Sequence, residues 1–142
     1  MPNSNQNQPI FPWFLDANDR YREVIRSIIG LATAALVAPF FVLTKFPIQP
    51  VSGPISGFLS WEVYLSWAFL GLSIGLGLLY YYASAAWVWV AWGREAYFFG
   101  KVLGRDGWKK VDACLRYSFW GCAISFGLGI VFALRFMAIY PK

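Results

Sequence analysis

The 142-residue sequence contains no histidine, and only 13% of its residues are charged. Histidine is the commonest ligand of catalytic zinc and haem iron and the usual general base near neutral pH, so its absence argues against those chemistries. A soluble domain carries about a quarter of its residues as Asp, Glu, Lys and Arg. A chain with so few charges has too little polar side chain to cover a surface in water.

Motifs of covalent chemistry are missing as well. The chain has no phosphate-binding GxxxxGK[ST] loop, no CxxC pair and no paired acids within an apolar run. Its two cysteines, Cys114 and Cys122, would lie about 12 Å apart on a continuous helix, beyond disulfide reach, and are expected to be free thiols. We therefore expect no catalytic residue, no metal site, no cofactor and no enzymatic activity.

Long uncharged runs dominate what remains, in a chain that is 58% apolar and has a mean hydropathy of +0.50. About 20 apolar residues suffice for a helix to cross the hydrocarbon core of a bilayer. We predict an all-α integral membrane protein with short amphipathic interfacial helices and three transmembrane helices, at about residues 24–44, 63–92 and 117–140. The second run is about 45 Å long as a helix, so it must tilt or continue past the bilayer.

The segments outside the spans are polar or basic. Residues 1–15 are expected to form a flexible tail rich in Asn and Gln that ends in a short interfacial aromatic cluster, followed by a single domain at 16–142. Asp16 or Asn18 is the expected cap of the first helix. Charged pairs at helical spacing follow: Asp16 with Arg20, Asp19 with Arg22 and Glu23 with Arg26.

The loop at residues 93–116 carries six basic residues: Arg94, Lys101, Arg105, Lys109, Lys110 and Arg116. With the amino terminus inside, nine Lys and Arg lie on the inner side and three outside, which predicts a cytoplasmic amino terminus and an outer carboxyl terminus in a cell membrane. We expect these cations to contact lipids of the inner leaflet, not nucleic acid. A cleaved signal peptide is the competing interpretation of the first run.

Small residues recur four apart in each span, a spacing that lets helix backbones approach closely in lipid. The predicted packing residues are Gly30, Ala34 and Ala38 in the first span, Gly71 and Gly75 in the second, and Gly121, Ser125 and Gly129 in the third. Ser73 and Gly77 form a second row in the middle span. The sequence leaves open whether these rows pack within one chain, against copies of the chain, or against other membrane protein subunits.

Glu62 and Arg135 are charged residues at the outer boundary of the predicted spans. Because the second and third spans run antiparallel, the two side chains could lie at similar depth and form an intramembrane ion pair. The alternative is that each reaches independently to the lipid headgroups.

These observations favour a non-enzymatic accessory, assembly or regulatory subunit of a larger membrane complex that acts through helix packing. A homo-oligomeric pore-forming or membrane-perturbing protein is the first alternative, and an immunity protein that binds a partner's transmembrane helices is the second. The pore ranks lower because the hydroxyls of the spans make no continuous polar lining. The hydroxyl groups in the spans belong to Thr33, Ser66, Ser73, Ser84, Ser118 and Ser125.

Overall fold

The computed structural model describes residues 12–45, 61–92, 94–95, 97–102 and 107–139. In chain order these form α1 (Pro12–Lys45), α2 (Trp61–Ala91), β1 (Tyr97–Phe98), β2 (Lys101–Val102) and α3 (Gly107–Ile139). The predicted helical class is confirmed. The part of the expected tail at residues 1–11 lies outside the described residues.

Two helices are long and apolar enough to cross a membrane: Trp61–Ala91 and Trp108–Ile139. Their most apolar stretches are only 33% and 22% buried inside the structure, so most of this apolar surface points outward. A core helix of a soluble protein would bury most of the same surface. Lipid is the natural solvent for such helices. A membrane crossing by α1 stays a prediction.

The helix α1 begins earlier than the sequence suggests. Pro12 is its first residue, where a fixed φ and a missing N–H cost nothing. Asn18 therefore lies in the second turn, and its side chain serves a tertiary contact in place of a cap. Of the expected charged pairs, Asp16–Arg20 closes at 3.2 Å and Asp19–Arg22 at 3.7 Å. Glu23 and Arg26 form no salt bridge within the described residues.

The segment after α2 differs from the short interfacial helices that we expected outside the spans. The helix ends at Ala91, with the Arg94 N–H bonded to the Trp89 carbonyl at 3.0 Å, and an antiparallel hairpin follows. Its turn residues, Phe99 and Gly100, both have positive φ, as a tight two-residue hairpin turn requires. Residues 107–116 of this loop are helical, but they form the first turns of α3 and not a separate interfacial helix.

The helix α2 lies between the other two and runs antiparallel to both. Ser66 contacts Gly129, and Ser73 contacts Cys122, so residue numbers fall along α3 as they rise along α2. Asn18 contacts Ser84, which fixes the opposite direction for α1. The first turns of α1 and α3 therefore share one end of the bundle with the carboxyl end of α2. We name it the basic end, because eight of the nine Lys and Arg side chains that the structure describes lie there.

Glycines allow close approach where these helices cross. A Cβ atom on Gly129 would lie 2.7 Å from Leu70 Cγ and 3.2 Å from the Leu70 backbone nitrogen. On Gly77 it would lie 2.8 Å from the Ile29 side chain of α1. These distances are shorter than ordinary van der Waals contacts, so an added methyl group would force a shift at both crossings. The constraint is stricter at Gly129, where a backbone atom is also close, than at Gly77, where the Ile29 side chain can move.

Gly129→Ala is expected to destabilise the fold by about 1–3 kcal/mol because the added methyl group overpacks the crossing with α2. Gly127→Ala is the matched control on the same helix, since a Cβ there would meet no atom within 4 Å. Unfolding of both variants in detergent gives the comparison. Equal stability of the two variants would contradict the close crossing at Gly129.

Candidate functional site

The contact between α2 and α3 is held by serine hydroxyls as well as by close packing. Ser66 Oγ donates to the Gly129 carbonyl at 2.8 Å, and Ser73 Oγ donates to the Cys122 carbonyl at 2.9 Å. Both serines are buried. Hydroxyl-to-carbonyl bonds between helices are a main source of association in lipid, where apolar contact alone gains little. We call this contact the α2–α3 seam.

The predicted packing residues fall into two groups. Gly121 and Gly129 lie in the seam, where their Cβ positions would touch Leu76 and Leu70, and Ser125 is buried on the same helix. Gly30, Gly71 and Gly75 face open space, since a Cβ on each would meet no atom within 4 Å. Ala34 is exposed and Ala38 half-buried. The structure thus brings the α3 row into an internal contact and leaves the Gly71–Gly75 row outside.

This open row belongs to a continuous exposed face of α2. Its positions repeat at alternating spacings of three and four, the period at which one helix packs along another. Small residues at the centre are bordered by large side chains, of which Trp61 is 58% and Leu78 60% exposed. We name this surface the outer face of α2, and it consists of Trp61, Tyr64, Ala68, Gly71, Gly75 and Leu78.

The hairpin ends the outer face toward the basic end. Tyr82, the next position of the repeat, accepts a hydrogen bond from the Phe99 N–H at 3.0 Å. Its ring stacks on Phe98 at 5.7 Å, with 24° between the ring planes. These contacts hold Phe99 at a φ of 49°, which costs a non-glycine residue strain energy. The sequence analysis did not predict the hairpin, because Phe99-Gly100 is not one of the Asn-Gly or Asp-Gly pairs that mark a two-residue turn.

A second polar contact joins α1 to α2. The Asn18 amide donates to Ser84 Oγ at 2.9 Å, and its carbonyl oxygen accepts from Ser84 Oγ at 3.1 Å and from the Tyr80 hydroxyl at 3.4 Å. Ser84 and Tyr80 are almost fully buried. An amide that both donates and accepts can satisfy a buried hydroxyl, so this cluster fixes the register between the two helices.

A cavity of about 570 Å³ lies beside this cluster, between the three helices. Asn18 and Tyr21 line it from α1, and Tyr80 lines it from α2. The α3 wall combines aromatic rings with an ion pair, in which Arg116 Nη2 lies 3.1 Å from Asp112 Oδ2. The volume is in the range of small-molecule sites. Sequence reasoning missed the cavity because its walls come from three separate segments.

Aromatic rings form the apolar part of this wall. Phe119 lies edge-on to Tyr21 at 5.1 Å and edge-on to Trp120 at 5.7 Å between ring centroids. Tyr80 is tilted against the same Phe119 ring at 6.2 Å. These packed rings stiffen the cavity and give it aromatic surfaces that attract cations.

The chain matches no protein-family model, and it shows no significant similarity to a curated protein or to a solved structure. Its function must therefore be inferred from the geometry of its own residues.

The predicted basic contacts lie on the surface of the basic end. Lys101 and Lys110 are exposed, and Arg116 carries the cavity's ion pair. Arg94 lies 5.6 Å from the Trp89 ring and Lys109 lies 5.9 Å from the Trp108 ring. Cations stacked on tryptophan are typical of the membrane–water boundary. Arg105 lies outside the described residues.

Glu62 and Arg135 have different environments at the opposite end of the bundle. Glu62 is buried in the first turn of α2, whereas Arg135 is exposed on α3. No salt bridge joins these two side chains in the part of the chain that the structure describes. Their electrostatic coupling stays a prediction.

The Asn18 cluster predicts a measurable coupling between helices. In a double-mutant cycle of Asn18→Ala and Ser84→Ala, the two losses of stability should be non-additive by about 1 kcal/mol, because each substitution removes the same hydrogen bonds. The measurement is unfolding in detergent. The control cycle pairs Asn18→Ala with Ser66→Ala, whose hydroxyl bonds to Gly129, and should be additive. Additivity in both cycles would contradict a direct Asn18–Ser84 contact.

Proposed function

We propose that this protein is a non-enzymatic, multi-pass membrane protein that serves as an accessory, assembly or regulatory subunit of a larger membrane complex. In this proposal, the outer face of α2 receives a transmembrane helix of another subunit. This proposal rests on one observation. The helix α2 has two rows of small residues, of which Ser73 and Gly77 are used inside the bundle while Gly71 and Gly75 stay open.

The composition of the outer face supports protein contact over lipid contact. Glycine destabilises a helix because it loses more conformational entropy on folding than other residues, and it offers lipid little surface to contact. Its advantage is that it lets a second helix approach closely. The exposed side of α3 provides the contrast, since it carries bulky residues such as Trp120, Ile124 and Val131, all 59% exposed. Such side chains suit lipid chains, so α2 is the favoured docking helix.

The placement of the hydroxyls weighs against the alternative of a homo-oligomeric pore. Ser66 and Ser73 donate to backbone carbonyls inside the seam, and Ser84 bonds to Asn18. Ser118 and Ser125 are buried as well. Copies that met through the outer face of α2 would line their contact with aromatic, glycine, alanine and leucine residues, which provide no polar path for ions.

A membrane crossing by α1 and the orientation of the bundle complete the proposal. The helix α1 runs antiparallel along α2 from Asn18, opposite Ser84, to Ile29, opposite Gly77. A neighbour that follows a spanning helix over this depth is itself expected to enter the bilayer. In this proposal the basic end lies on the cytoplasmic side of the cell membrane, which its excess of Lys and Arg supports.

Gly75→Leu is expected to abolish co-purification of partner subunits without lowering the thermal stability of the protein itself. The reason is that the new side chain projects onto the outer face from a Cβ position that meets no atom within 4 Å. Complexes extracted in mild detergent are compared by native mass and by identifying the proteins present. Gly127→Leu, an equally open position on α3, is the control and should keep the partners.

Two results would contradict this use of α2. Partner retention at wild-type level in Gly75→Leu would remove the outer face from the assembly. A homo-oligomer of defined mass with no other component, dissociated by the same substitution, would support self-association in its place.

A reporter enzyme fused after Lys142 tests the orientation. With the basic end inside and three crossings, a periplasmic or extracellular reporter should be active and a cytoplasmic one inactive. The opposite pattern would mean that the orientation is wrong, because α3 alone separates Lys142 from the basic end. A second fusion ahead of Pro12 tests the crossing by α1, because with the basic end inside it should report the cytoplasm if α1 crosses and the outside if α1 does not.

A further inference from the structure

The cavity between the three helices lies where the charged turns of the bundle give way to uncharged helix. On α3, Arg116 is the last charged residue before a run that continues uncharged to Arg135. On α1, the charged stretch ends at Arg26, and the cavity-lining Asn18 and Tyr21 lie within it. In a membrane this level corresponds to the headgroup region, where lipid polar groups are present at high concentration.

The charges in the wall balance each other. The side chains of Asp112 and Arg116 lie 3.1 Å apart, and both line the cavity. A ligand with a single net charge would be attracted by one of them and repelled by the other. A zwitterion satisfies both, because an anionic group can bind Arg116 while a cationic group binds Asp112. The guanidinium has five N–H donors, so it can bind a phosphate and keep its bond to Asp112.

The aromatic lining favours an ammonium group as the cationic part. The rings of Tyr21, Tyr80 and Phe119 meet around the cavity, with Trp120 beside them. Aromatic rings attract ammonium ions most strongly where water is partly excluded. The half-buried carboxylate of Asp112, whose side chain is 32% exposed, supplies the opposite charge at the same place.

We propose that this cavity binds the zwitterionic headgroup of a membrane phospholipid, with the phosphate at Arg116 and the ammonium between Asp112 and the aromatic rings. The volume of about 570 Å³ accommodates a headgroup and leaves the acyl chains along the exposed apolar surface of the helices. A soluble phosphate–ammonium zwitterion has the same recognition chemistry and differs in lacking the chains. This inference does not depend on the outer face of α2.

The test measures binding of a tail-labelled phosphatidylethanolamine to the full chain in detergent, with unlabelled competitors. Unlabelled phosphatidylethanolamine should compete about tenfold more strongly than anionic phosphatidylglycerol. Arg116→Gln should weaken binding of both lipids about tenfold, because both present a phosphate. Asp112→Asn should remove the preference for the zwitterion, because only the guanidinium then remains charged.

The chain offers a matched control pair outside the cavity. Asp16 and Arg20 have the same helical spacing and a similar separation of 3.2 Å, and both side chains are exposed. Asp16→Asn and Arg20→Gln should leave binding and lipid preference unchanged. Thermal unfolding of all four variants should show that each remains folded, because exposed or half-exposed ion pairs add little stability.

Three results would overturn the proposal. Equal competition by both lipids would exclude zwitterion recognition. If substitutions in the cavity pair and in the control pair change lipid binding equally, binding depends on general surface charge and not on the cavity. Competition by glycerophosphoethanolamine at the same concentration as the intact lipid would assign the cavity to a soluble zwitterion and exclude a lipid ligand.

Discussion

The hydrogen bonds from Ser66 and Ser73 to backbone carbonyls of α3 are the constraint on which the rest of the bundle depends. Helices that are solvated by lipid gain little from apolar contact with each other, so their spacing is set by close packing and interhelical hydrogen bonds. Gly129 allows the approach, and the two serines fix the register. With α2 and α3 aligned in this way, Tyr80 comes beside Phe119, and both rings line the cavity.

The helix α2 divides its surface among three uses. One side forms the seam with α3, a second receives α1 at Gly77 and Ser84, and the third remains open at Gly71 and Gly75. The hairpin covers this third side only near Tyr82, where the ring holds the backbone of Phe99. The open part of the outer face is therefore separated from the basic end, so a partner helix and a lipid headgroup would bind at different places.

The elements that follow from local pattern were predictable from the sequence, and those that depend on neighbours were not. The length of the uncharged sequence runs predicted α2 and α3, and the spacing of four residues predicted the Asp16–Arg20 ion pair. The sequence could not show which row of small residues on α2 faces inward. The Gly71–Gly75 and Ser73–Gly77 rows have similar composition and differ only in what packs on them. Asn18 was expected, as an alternative to Asp16, to cap the first helix because its side chain is a common capping group, whereas its actual partner Ser84 lies 66 positions away in the chain. The cavity needs three helices at once and has no local signal.

The central claim is that another subunit covers the outer face of α2 in the membrane. The most direct measurement places a photoreactive amino acid at Leu78 in intact cells and, for comparison, at Leu134, which is also 60% exposed but lies on α3. We expect one discrete protein adduct from Leu78, absent when Gly75 is replaced by Leu, and only lipid adducts from Leu134. Lipid adducts alone from both positions would show that the outer face of α2 is exposed to the bilayer and would contradict the account.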